Sequence, residues 1–286
     1  YKKVSTLSEA LEAYGNDERD LRLLAGGQSL VPMMNLRLAR PEVLIDLNQI
    51  EELDYVSDSG DSIEIGAITR LRSVEMDEKI VTSVPLLREA ISYVAHTAIR
   101  TRGTIGGNVA HADPSAEIPT VLVALGGEIV ASSSNGDRTI SAKDFFLGAF
   151  FTELDEREIV KLIRIPKETK SSGSAFVEFA PRHGDFAIVG VAAVISRNDS
   201  GHIDSVRLVV AGVDGKPLDV SSEADSLLGN ENVTLDSFAE VAQNVFKRVE
   251  PGGDIHASED FRRELSQTLT VKALNLAWKR LGGSNE

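Results

Sequence analysis

The chain has 286 residues, 42% of them hydrophobic, a formal net charge of −14 and no cysteine. That content is enough to bury ordinary cores, and the length suits two domains or three small ones. The acidity disfavours a nucleic-acid partner and an anionic membrane surface, and the missing cysteines exclude disulfides, thiolate zinc sites and iron–sulfur ligation on this chain.

The five histidines, His96, His111, His183, His202 and His256, lack the i, i+4 spacing of a helical metal site, so no metal ligand is assigned. No apolar run reaches the ~20 residues that a membrane-spanning helix needs. The chain starts at Tyr1 without a basic-then-apolar leader, so no secretory signal is expected; the absent Met implies a few residues before Tyr1. A cytoplasmic location is the expectation.

Taken in order, VSTLSEALEAYG reads as a short helix with Thr6 as N-cap, Glu9 completing a capping box and Gly15 closing it. Leu21–Leu24 reads as a buried strand running into AGGQS, and EVLIDLNQ (Glu42–Gln49) as another. Residues 1–55 then form a small α/β unit. The turn-rich YVSDSGDS marks a boundary, followed by the strand SIEIGAIT, a helix over Pro85–Arg100, a second glycine pair in RTRGTIGGNVAHADP, and a helix over Ala116–Leu125. GEIVAS and RTIS pair across SSNGD, and EIVKLIRIP closes a unit of residues 56–170. Beyond KETKSSGS come the strands AFVEFAPR, AIVGVAAVIS and SVRLVVAGV, then helices around Leu235–Arg248 and Phe261–Leu281. Strands first and helices after predict an α+β unit over 171–286, its sheet covered on one face.

The two glycine pairs carry the chemistry. Glycines after a strand let the backbone turn tightly and bring N–H groups up to a ligand, and successive inward N–H groups form an anion-binding nest. Ser29 adds a hydroxyl to the first loop, and Thr104-Ile105-Gly106-Gly107-Asn108 reads as a second loop. One such pair alone reads first as a simple tight turn. Two suit a diphosphate held from two sides, with a carboxylate nearby for ribose hydroxyls, hence a dinucleotide such as FAD or NAD. Neither loop is G-x-G-x-x-G or G-x-x-x-x-G-K-[ST], which argues against an ordinary Rossmann site and an NTPase.

AGGQSLVPMMNLRLARPEVLIDLN and TIGGNVAHADPSAEIPTVLVALGGEI together resemble the FAD-binding (medium) subunit of the molybdenum hydroxylases, the xanthine dehydrogenase, carbon monoxide dehydrogenase and aromatic N-heterocycle hydroxylase groups. The likeness extends over essentially the whole chain, through AFVEFAPRHGDFAIVGVAA. It implies an α+β fold: a two-subdomain FAD domain of the vanillyl-alcohol-oxidase type, then a C-terminal α+β domain with an antiparallel sheet. Ala25, Gly26, Gly27, Gln28, Ser29 and Leu30 match the family's first diphosphate-binding loop, and Thr104, Ile105, Gly106, Gly107 and Asn108 the second. Asp113 and Glu117 fall where polar side chains of the family contact ribose or ribityl hydroxyls, and Leu162 where an apolar side chain packs near the adenine. Asp185 and Phe186 match a segment that covers the isoalloxazine ring in relatives. Gln28 stands where several members have His, and Val177 where some have Lys.

Structural alternatives accompany these assignments. Asp113-Pro114 suits a turn, Glu117 a first-turn helix carboxylate, and Phe186 a core position. Arg100 and Arg102 are either counter-charges for a diphosphate or solvated arginines. His111 reads as packed or solvated rather than as a proton donor, and Met33 and Met34 as core beside the flavin. No catalytic acid, base or nucleophile stands out, as suits a protein whose cofactor carries the redox chemistry.

The resemblance therefore implies an electron-transfer subunit. FAD sits on this chain, while the molybdenum cofactor sits on a large partner subunit and two [2Fe–2S] clusters on a small one, in a dimer of heterotrimers. The competing readings are a stand-alone flavin oxidoreductase and a nucleotide-binding scaffold that has lost its flavin.

Overall fold

The computed structural model describes residues 1–15 and 19–283. Its first elements are β1 (Lys2–Lys3), α1 (Leu7–Gly15), β2 (Leu21–Leu24), α2 (Leu30–Asn35) and β3 (Val43–Asp46). The strands make a parallel sheet in the order β1-β3-β2, so the glycine loop and α2 lie on the crossover from β2 to β3. The expected cap of α1 is present: the Glu9 N–H donates to Thr6 Oγ1 at 3.1 Å. The Glu9 carboxylate reaches back to the N–H of Ser5 at 2.7 Å, one residue before the cap. Leu7, Ala10, Leu21, Val43 and Ile45 form the core between α1 and this sheet.

The next stretch runs β4 (Val56–Asp58), β5 (Ser62–Gly66), α3 (Leu71–Met76), α4 (Glu78–Ser83), α5 (Pro85–Tyr93), α6 (Thr97–Arg100), α7 (Ile105–His111) and α8 (Glu117–Leu125). It continues with β6 (Glu128–Ser133), β7 (Gly136–Ser141), α9 (Ala142–Phe145), β8 (Phe146–Gly148), β9 (Phe151–Thr152) and β10 (Ile159–Pro166). An antiparallel sheet results, in the order β4-β5-β10-β6-β7. The single helix expected over Pro85–Arg100 is two. α5 ends at Tyr93, Ala95 takes φ +45°, and α6 starts at Thr97. The break is held by Arg100, whose Nη1 donates to the carbonyls of Val94 (2.9 Å) and Ala95 (3.0 Å), groups a helix end leaves without partners.

The last elements are β11 (Ser172–Phe179), β12 (Val189–Arg197), β13 (Ile203–Ala211), β14 (Leu218–Asp219), α10 (Leu235–Arg248) and α11 (Glu259–Arg280). The strands form an antiparallel sheet in sequence order. It is covered on both faces, not on one. Val189, Val191, Ala193 and Ile195 of β12 join the core under α10 and α11, whereas Ala192 and Val194 join the core of the preceding sheet and its helices. The partner on that second face is α8, which is apolar nearly all round and buried between the two sheets.

Candidate cofactor site

The first glycine motif leaves β2 at Leu24 and turns through Gly27, whose φ of +72° is costly for a residue with a Cβ. Gln28 folds back, its Nε2 donating to the Gly26 carbonyl at 3.0 Å. Among the described residues no group accepts the backbone N–H of Gly26, Gly27, Gln28 or Ser29. The exposed Ser29 side chain does not cap α2. Four successive N–H groups and a hydroxyl without internal partners are what an anion-binding nest requires.

The second motif is built differently from the loop expected. Thr104 is the N-cap of α7, its Oγ1 accepting from the Gly107 N–H at 3.2 Å, so Ile105–Asn108 are the helix's first turn. The neighbouring N–H groups are also taken: Ile105 by Thr69 O (3.0 Å), Gly106 by Ala67 O (2.9 Å) and Asn108 by Thr104 O (3.0 Å). No nest remains there. The glycines serve close approach instead. A Cβ on Gly106 would lie 2.5 Å from the Ala67 Cβ, and one on Gly107 would lie 2.7 Å from Thr104 Oγ1 and 3.7 Å from the Ala25 Cβ. A Cβ on Gly26 would lie 2.3 Å from the Arg102 carbonyl oxygen and 2.7 Å from the Gly103 Cα. The two motifs, some eighty residues apart in sequence, thus pack backbone against backbone as one cradle.

Two side chains that the sequence reading did not single out pin that contact. The half-buried Arg70 donates from Nη1 to Arg102 O (2.5 Å) and from Nη2 to Asn48 Oδ1 (2.6 Å). Asn48 Nδ2 in turn donates to Ala25 O (2.9 Å), so one chain of hydrogen bonds ties β3's end to both motifs. In α7 itself, Asn108 Oδ1 is buried without a partner among the described residues. A buried acceptor left open in this way suits a donor from outside the chain, a water or a ligand hydroxyl.

The remaining candidates separate clearly. Asp113 forms a turn, accepting the Ser115 N–H at 2.9 Å. Glu117 opens α8 and is buried; loss of solvent, and then the charge of Glu178, push its carboxyl up to about 8. Burial also raises Glu178, to about 7, and its Oε2 has no partner among the described residues. Leu162 is buried on β10, where its backbone pairs with Gly66, the neighbour of Ala67. Asp185 lies in the exposed loop 181–186, and Phe186 is 75% exposed, so it is no core residue. That loop rests on the break between α5 and α6, since a Cβ on Gly184 would meet His96 Nδ1 at 2.6 Å.

Arg100 is not a counter-charge for this site. It is buried, and its Nε pairs with Glu75 Oε2 at 3.1 Å. Arg102 is exposed and offers its carbonyl to Arg70. His111 packs against Phe150, ring centroids 5.0 Å apart, and desolvation holds its imidazole below the usual histidine range, hence neutral at pH 7. Met33 and Met34 are not buried by the chain's own side chains, since α2 has no buried residue.

Residues 1–168 match the family described as the FAD binding domain in molybdopterin dehydrogenase, and residues 174–277 match the CO dehydrogenase flavoprotein C-terminal domain. The chain belongs to this FAD-subunit family. It is 33% identical over 286 residues to the 6-hydroxypseudooxynicotine dehydrogenase complex subunit alpha of Paenarthrobacter nicotinovorans, covering 100% of this chain and 96% of the relative. It is 35% identical to the caffeine dehydrogenase subunit beta of Pseudomonas sp. strain CBB1, covering 98% and 95%. In three dimensions it is similar to the carbon monoxide dehydrogenase of Hydrogenophaga pseudoflava, in a form lacking the Mo-pyranopterin moiety, with a TM-score of 0.94 at 34% identity over 98% and 97% of the two chains. The resemblance read from the sequence is therefore borne out, as is the α+β FAD-binding fold, and the chain is an oxidoreductase subunit carrying an FAD-binding domain. The free N–H groups of Gly26–Ser29 and the open acceptor on Asn108 fit a ligand with an anionic diphosphate and hydroxyl donors on either side of it, which FAD is.

Proposed function

We propose that this chain is the electron-transfer subunit of a molybdenum hydroxylase, receiving electrons from iron–sulfur clusters on a small partner subunit and delivering them to an external acceptor. A large subunit would hold the molybdenum cofactor, in a dimer of heterotrimers. The acidic, cysteine-free composition is compatible with a cytoplasmic complex whose clusters lie on another chain. The observation that carries the reading is the cradle, two glycine motifs closed on each other with four N–H groups facing no internal acceptor.

Bound FAD would supply the redox chemistry, accepting and returning electrons without a catalytic acid or base from the protein. The residues of this chain bind and orient. The N–H groups of Gly26, Gly27, Gln28 and Ser29, with the Ser29 hydroxyl, hold diphosphate charge, and Ala25 and Leu30 frame that turn. Thr104, Ile105, Gly106 and Gly107 build the helix start on which the first motif rests. Asn108 accepts a hydroxyl hydrogen bond. Glu117, protonated at neutral pH, both donates to and accepts from ribityl or ribose hydroxyls, and Asp113 offers its second oxygen to the same groups. Leu162 packs near the adenine, and Asp185 and Phe186 bring loop 181–186 over the ring. Units of residues 1–55, 56–170 and 171–286 are supported by a sheet in each.

Purification with its native neighbours tests the reading. Flavin on this chain together with a larger and a smaller subunit is expected. A lone chain oxidising an alcohol or amine would favour the stand-alone oxidoreductase, and a folded chain that takes up no FAD would favour the scaffold.

A further inference from the structure

We propose that Arg100, through its buried ion pair with Glu75, is a positioning residue for the flavin ring: it fixes where loop 181–186 stands relative to the glycine cradle. The inference rests on the functional reading above, which puts that loop over the ring. α6 is four residues long and joins two parts of the site. On its C-terminal side, Arg102 O and the Gly103 Cα meet Gly26. On its N-terminal side, the break at Val94–His96 seats the loop. Gly184 comes so near that a Cβ there would lie 2.6 Å from His96 Nδ1 and 3.1 Å from the Ala95 carbonyl carbon. The His183 ring stands edge-on to Tyr93, centroids 6.5 Å apart.

One side chain ties these two parts together. Arg100 Nη1 donates to the carbonyls of Val94 and Ala95, so it fixes the backbone against which Gly184 rests. Its Nε faces Glu75 Oε2 at 3.1 Å, an oxygen that Arg72 also reaches, and its Nη2 faces Oε1 at 3.5 Å. Glu75 lies on α3, and the start of α3 holds the cradle. Arg70 donates to Arg102 O, and the Leu71 N–H to Gly103 O at 2.9 Å. α3 is therefore a strut, with the cradle at its first turn and the loop's seat tied to it through Glu75. A buried ion pair adds little net stability, so the use of this one is geometric: the planar guanidinium binds acceptors on two elements at once.

The test uses the full chain loaded with FAD and reads two quantities. One is FAD affinity; the other is quenching of the bound flavin's fluorescence by iodide, which reports exposure of the ring. Phe186→Ala is the reference, because it trims the loop and touches neither Arg100 nor the cradle. Arg100→Lys keeps the charge that Glu75 faces, but one ammonium cannot serve Glu75 and two carbonyls as the fork does. Loss of a hydrogen bond to a charged group shifts a two-state loop about tenfold, so iodide quenching is expected to rise about three- to tenfold while FAD affinity stays within about threefold. Gly184→Ala should do the same by lifting the loop off its seat with the ion pair intact, and it decides the matter if Arg100→Lys does not fold. Wild-type quenching in either folded variant, beside a rise in Phe186→Ala, overturns the proposal. So does a fall in FAD affinity without a change in quenching, which is what a merely structural role predicts. Unchanged quenching in Phe186→Ala, or a wild-type chain that takes up no FAD, overturns the functional reading itself, and this inference with it.

Discussion

Gly26→Ala is the sharpest probe of the cradle. The added methyl would sit 2.3 Å from Arg102 O and 2.7 Å from the Gly103 Cα, where ordinary contacts begin at 3.4 Å. Both neighbours are backbone, and Arg70 and Leu71 hold that backbone through Arg102 O and Gly103 O. Neither can rotate away as a side chain tip would. The motifs must part by about 1 Å, and overpacking of this kind costs about 1–3 kcal/mol. If the strain is relieved when the cradle opens, about 2 kcal/mol converts to a roughly 30-fold loss of FAD affinity. Fluorescence titration of the apoprotein with FAD, alongside urea unfolding, measures both quantities. Gly252→Ala is the control, because nothing lies within 4 Å of its Cβ position. An FAD affinity within twofold of wild type, with an unchanged unfolding midpoint, would refute the close packing of the two motifs.

Three further outcomes are expected. Gly106→Val should lose FAD on gel filtration, because the side chain meets Ala67 and pushes α7 off the end of β5, not because it blocks a diphosphate; full flavin occupancy would contradict this. Arg70→Ala removes the donor shared by Arg102 O and Asn48 and should cost about 1.5–3 kcal/mol, with weaker FAD binding. Retention of wild-type affinity would show that the clamp is idle. Glu117 titrates at about 8 in the folded chain against an ordinary 4.5, so between those values the folded state binds more protons than the unfolded one. Stability then falls as pH rises through that window, by up to ~5 kcal/mol at ~1.4 kcal/mol per unit. Glu117→Gln should gain on wild type by at least about 1 kcal/mol between pH 5 and pH 9 in urea unfolding; parallel pH profiles would exclude the buried carboxyl as their source.

Much of this architecture was legible in the residues. Period and punctuation located β2, β3, β5, β10 and three of the four strands of the last sheet, and Leu235–Arg248 is read to the residue, while the two-residue β14 was missed. What escaped depends on contacts distant in sequence or on competing local signals. The break at Ala95 is stabilised by Arg100, whose capping role is invisible in a run of apolar residues at helical spacing. Thr104 caps α7, but the glycines after it read as a loop. Both-face burial of β12 was available in the unbroken apolar run AIVGVAAVI, which lacks the polar alternation of a half-exposed strand. Within the site, Arg70 belongs to neither quoted motif and Asn48 is only the last residue of the first, and only the folded chain brings them to the loops. The apolar content of α2 read as core because hydrophobicity alone does not say which partner buries it.

The most direct test of the central claim is the amount of FAD bound per chain, measured by heating the purified subunit and quantifying the released chromophore by absorbance and mass. The account predicts one FAD per chain in the wild type and a large loss in Gly26→Ala at equal protein. A folded wild-type chain with no FAD and no uptake of added FAD would contradict it.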